Sequence, residues 1–63
     1  MKNFLIINTN TNRHVATVRG KLALYRFYVD ECIKRQRDIG AGTPTVSWLL
    51  NELTHMGFKI EEV

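Results

Sequence analysis

The spacing of apolar residues changes several times along the chain, and each change marks an element. Residues 3–8 (Asn-Phe-Leu-Ile-Ile-Asn) form a β-branched and aromatic run that predicts a strand. The polar Thr9-Asn10-Thr11-Asn12 follows as a turn, where Asn8, Asn10 and Asn12 can cap backbone groups and adopt left-handed conformations. Residues 14–19 (His-Val-Ala-Thr-Val-Arg) then predict the return strand of a hairpin that Gly20 ends.

From Lys21 to Asp38 there is no Pro or Gly, and the period becomes helical. At 100° per residue, Leu22, Tyr25, Tyr28, Val29, Cys32, Ile33 and Ile39 fall in one sector, which is expected to face the core. Arg26, Asp30, Glu31, Lys34, Arg35, Arg37 and Asp38 take the other side. Arg26, Asp30 and Lys34 are spaced for i, i+4 pairs, and the basic end of the helix suits its dipole.

Ile39-Gly40-Ala41-Gly42 breaks the helix as a hinge, and Thr43-Pro44 reads as N-cap and first position of a second helix running to Met56. Gly57 is expected at its C′ position. Val46, Leu49, Leu50, Leu53 and Met56 share one face at i, i+3, i+4, i+7 spacing, so this stripe faces the core. Phe58 and Ile60 alternate with Lys59 and Glu61 in a last, half-exposed strand over residues 58–63.

The expected fold is therefore a single α+β domain over residues 1–63, a small two-layer β-β-α-α-β arrangement. Its three-stranded sheet is at least partly antiparallel, with both helices on one face. Phe4-Leu5-Ile6-Ile7 is apolar on both faces, which predicts a central strand covered on both sides. Two helices cover one face only, so a second copy is expected on the other, making a homodimer.

Composition narrows the function classes. The chain has 63 residues, 44% hydrophobic and 24% charged, an ordinary globular balance for one small domain. A single cysteine, Cys32, excludes an intrachain disulfide and a cysteine-based zinc site, and points to the reducing cytoplasm. Four consecutive apolar residues near the N-terminus are too few for a secretory signal, and no run approaches a membrane span. The net charge is +3 and the pI 9.4, which makes this a basic protein. That charge is uneven: residues 1–38 hold eight of the nine Lys and Arg, whereas residues 39–63 hold Lys59 against Glu52, Glu61 and Glu62. Such polarity suits a charged partner or a complementary self-contact.

Catalytic sets are thin, and an enzyme is not expected. Cys32 with His14 or His55 lacks an orienting third group, and Cys32 sits where a small core hydrophobe fits. The same three residues lack the spacing of metal ligands, and Gly40-Ala41-Gly42 lacks the Lys-Ser/Thr of a P-loop, so no metal or cofactor is expected.

The residues left over point to binding. Trp48 falls opposite the apolar stripe of its helix, beside Asn51, Glu52 and His55, and Leu24 and Phe27 lie outside the main sector of the first helix. Trp is enriched at binding hot spots, so these six predict a surface for a protein partner. The leading expectation is a small intracellular regulatory or adaptor protein, of the size class common among virus-encoded modulators of host proteins. The alternative is a nucleic-acid-binding module using Arg13, His14, Arg19, Lys21 and Arg26 around the hairpin. The second helix does not read DNA itself, because its outward face carries Glu52 and no Lys or Arg.

Overall fold

Asn8 starts the first turn by accepting, on its side-chain oxygen, hydrogen bonds from the backbone N–H of Asn10 (2.8 Å) and Thr11 (3.3 Å). Asn12 completes the reversal with φ 56°, a left-handed conformation that asparagine adopts at low cost. In the computed structural model, which describes residues 2–40, 42 and 44–63, this turn joins β1 (Asn3–Asn8) to β2 (Arg13–Arg19). There follow α1 (Gly20–Lys34), α2 (Val46–His55) and β3 (Phe58–Glu62).

The strands form one antiparallel sheet in the order β2-β1-β3, with both helices on one face. The α+β class, the element order and the central place of β1 agree with the sequence reading. Phe4 and Ile6 point inward and are buried, pairing with Val18 and Ala16 on one side and with Glu62 and Ile60 on the other. Leu5 and Ile7 point to the open face. Between Ile6 and Ile7 the register with β2 shifts, so that Ile7 opposes His14 and Val15 becomes the extra residue of a β-bulge.

Both helices stop where the backbone allows. Gly57 takes φ 94° just after α2, and its N–H bonds to the Thr54 carbonyl, as its predicted C′ role requires. α1 ends at Lys34 rather than Asp38, because Gln36 turns left-handed at φ 53°. The Gln36 N–H then bonds to Ile33 O and the Arg37 N–H to Cys32 O, the paired contacts of a Schellman stop. This C′ residue is not a glycine, so the stop carried no sequence signal. α2 starts at Val46, later than the expected Pro44, because the Thr45 side chain accepts from the Trp48 N–H at 3.1 Å and makes Thr45 the N-cap. The expected cap, Thr43, and Ala41 of the expected hinge lie outside the described residues.

The core is Phe4, Ile6, Leu24, Tyr28, Cys32, Leu49, Leu53 and Phe58. The α2 stripe behaves as predicted: Leu49 and Leu53 are buried, and Val46, Leu50 and Met56 pack around them. Cys32 is a buried free thiol, in keeping with a packing role. The α1 face differs from expectation. Tyr28 and Cys32 are inside, but Leu22 is 65% exposed, Ile33 64% exposed and Ile39 also exposed, while Leu24 is 0% exposed. Apolar residues occur around most of the α1 wheel, so periodicity alone did not choose between two sectors.

Candidate functional site

Of the six residues expected to contact a partner, three serve the fold. Leu24 is core. Phe27 packs edge-on against Phe58, with ring centroids 5.3 Å apart. Trp48 is half-buried against Tyr28, at a centroid distance of 5.2 Å and an interplanar angle of 74°. A single-stripe reading of α2 assumes one neighbour, but α2 packs on both β3 and α1, and Trp48 fills the second contact.

The loop after α1 completes this lock. The Gly40 N–H donates to the Tyr28 hydroxyl at 3.0 Å, and a Cβ at Gly40 would sit 2.6 Å from the Trp48 ring. Glycine is therefore required here by the closeness of the indole. Burial pushes the Tyr28 phenol above its ordinary pKa, which keeps the hydroxyl protonated. Asn51 and His55 remain exposed, and Glu52 lies half-buried with one oxygen 3.9 Å from Arg37. What is left of the α2 surface is small and polar.

Charges on the rest of the molecule are mostly paired. Lys2 meets Glu62 at 2.7 Å, and Lys59 meets Glu61 at 3.3 Å. Glu31, expected on the solvent side, is only 7% exposed and binds Lys34 (3.1 Å) and Arg35 together. Arg35 in turn lies over the Phe58 ring, 5.2 Å from its centroid. Burial works to raise the Glu31 carboxyl, but the hydrogen bonds from Arg35 and Lys34 outweigh it and hold the group below its ordinary range.

A carboxylate favoured in the folded state contributes stability above its unfolded pKa, about 4.3, and loses it as pH falls through the lower folded value. Thermal melts between about pH 5 and pH 3 are therefore expected to fall more steeply for the native chain than for Glu31→Gln. Parallel curves would contradict this coupling.

Among the described residues, Arg13, Arg19, Lys21 and Arg26 have no carboxylate within ion-pair distance. With His14, these are the residues singled out for the basic hairpin side. Arg19, Thr17 and His14 flank Leu5 and Ile7 on the open sheet face, and a His14 ring nitrogen sits 2.8 Å from the Thr17 hydroxyl across the bulge. The bulge brings His14 and Thr17 together; their separation in sequence, an odd number of residues, would place them on opposite faces of a regular strand. β2 is an edge strand, with no strand paired to its outer side among the described residues. Alternate residues along its length thus offer free backbone groups bordered by unpaired cations.

Among the described residues no three His, Cys, Asp or Glu side chains are grouped to hold a metal, and no helix is long and apolar enough to cross a membrane. No family model, curated protein or solved structure matches this chain.

Proposed function

We propose that the chain is a small regulatory or adaptor domain that works by binding a protein partner, and that it does so along β2 instead of through α2. The observation that carries this reading is the coincidence of a free strand edge with unpaired Arg13, Arg19 and Lys21. An extended acidic segment fits that edge: its backbone adds a strand to the sheet beside β2, and its carboxylates meet the cations that border it. The free thiol of Cys32 suits a reducing compartment, which supports a cytoplasmic setting for this activity.

Nucleic acid is the second reading, since the same cations suit a phosphate backbone. It is disfavoured by the aromatic residues. All six are buried in the core or packed against it, so none is presented for base stacking.

Fluorescence polarisation separates the two. The labelled probes are an alternating Glu-Val peptide and short single- and double-stranded oligonucleotides, each at low and physiological salt. The proposal expects saturable binding of the peptide that is lost in the Arg13→Ala/Arg19→Ala variant. Oligonucleotide binding that is steeply salt-dependent, with no peptide binding, would transfer the function to the second reading.

A further inference from the structure

α1 has a stripe of apolar residues beside its buried face, exposed at both ends, at Leu22 and Ile33, and partly packed against the core at Val29. Leu22, Arg26, Val29 and Ile33 follow a four-three-four spacing and fall within an arc of about 60°. Leu24, Tyr28, Glu31 and Cys32 form the buried side. Leu22 and Ile33 end the stripe, about 16 Å apart along the axis, and both are open to water. The spacing is that of a d-a-d-a seam in a helix pair, with a charged residue at one a position.

Two charges on this stripe lack partners within the chain. The sequence predicted an Arg26–Asp30–Lys34 ladder, but Lys34 turns to Glu31, and neither Arg26 nor Asp30 makes an ion pair among the described residues. Arg26 sits on the seam and Asp30 at its border.

We propose that the stripe is the interface of a homodimer in which α1 packs antiparallel on α1 of a second copy. A two-fold axis near the middle of the stripe sets Leu22 against the partner's Ile33, and Ile33 against the partner's Leu22. Val29 then lies on the aliphatic stem of the partner's Arg26, whose guanidinium reaches Asp30, and symmetry makes the same contact twice. Parallel packing would instead oppose Arg26 to the partner's Arg26 and Asp30 to the partner's Asp30, so like charges exclude it. The open sheet face, where a second copy was expected from Leu5 and Ile7, carries His14, Arg19, Lys59 and Glu61; Glu61 is taken up by Lys59, so this face offers a second copy no unpaired carboxylate for its cations. This assignment does not depend on what binds β2.

Sedimentation velocity from micromolar to hundreds of micromolar, with cross-linking, tests it. The native chain is expected to shift towards twice its monomer mass as concentration rises. Leu22→Glu or Ile33→Glu weakens the dimer by about tenfold or more while circular dichroism stays native, since both side chains are exposed. Arg26→Asp and Asp30→Arg each weaken it, and the double variant restores it. Mixed Leu22→Cys and Ile33→Cys chains are expected to cross-link to each other faster than either does to itself.

A monomer at every concentration would overturn the proposal. A dimer insensitive to Leu22→Glu and Ile33→Glu but lost in Leu5→Glu would also overturn it, by moving the interface to the sheet. Rapid self-cross-linking of Leu22→Cys would overturn the antiparallel arrangement.

Discussion

Trp48→Ala is expected to leave the domain largely unfolded at physiological temperature. Removing a packed Trp costs about 3 kcal/mol even at the low end of the observed range. A single core of this size rarely holds more than about 3–5 kcal/mol in total. The indole is the only ring α2 offers to Tyr28, and the same ring fills the space beside Gly40. Gly40→Ala attacks the lock from the other side: its methyl group forces the ring or the loop to move, at about 1–3 kcal/mol. Urea denaturation followed by near-ultraviolet circular dichroism measures both. If Trp48→Ala kept its midpoint within error of the native chain, the indole would be a docking residue after all.

The second large effect is expected at Leu24. Leu24→Ala should cost about 3 kcal/mol, because a fully buried leucine loses both its transfer energy and its packing contacts. Two residues earlier, Leu22→Ala should change monomer stability by less than about 0.5 kcal/mol. The pair is a direct check on which side of α1 faces inward. Denaturant midpoints for both, at concentrations low enough to keep the chain monomeric, decide it. Equal losses would mean that α1 is rotated from the orientation described.

These two residues also show what the sequence revealed and what it concealed. The hairpin was legible because asparagines at positions 8 and 12 carry local turn chemistry, and the end of α2 because Gly57 is a local signal. Strand β1 was legible as central because its four consecutive apolar residues load both faces of the strand, although the cover expected over Leu5 and Ile7 is not supplied by the helices. The inner face of α1 was not legible. Its wheel contains two apolar sectors, and the choice between them depends on which one α2 and β3 cover, with Trp48 against Tyr28 and Phe58 against Phe27 and Arg35, contacts that have no local signature. The packing of Trp48 on Tyr28 was hidden for a related reason: which helix the indole meets depends on the path of the loop through Gly40.

The candidate site divides in the same way. The cationic group on β2 and early α1 was visible as a run of charges, whereas its lack of partners became visible only once Glu31, Glu52, Glu61 and Glu62 were seen to be engaged with other cations. The bulge at Val15, which sets His14 beside Thr17 on the open face, leaves no mark in the residue pattern.

The β2-β1-β3 order has a consequence for how the domain assembles. The β1–β2 hairpin closes a short loop and can form early, but β1 receives its second neighbour only from the far end of the chain. There the Val63 N–H bonds to Asn3 O at 2.8 Å and the Asn3 N–H to Val63 O at 3.3 Å. Closing that contact spans nearly the whole sequence and brings the largest loop entropy in the molecule. Until it closes, Phe4 and Ile6 sit in a two-stranded ribbon with one edge open. The slow step of folding should therefore be the arrival of β3, with Phe58 carried in beside α1 and α2 as the sheet is completed.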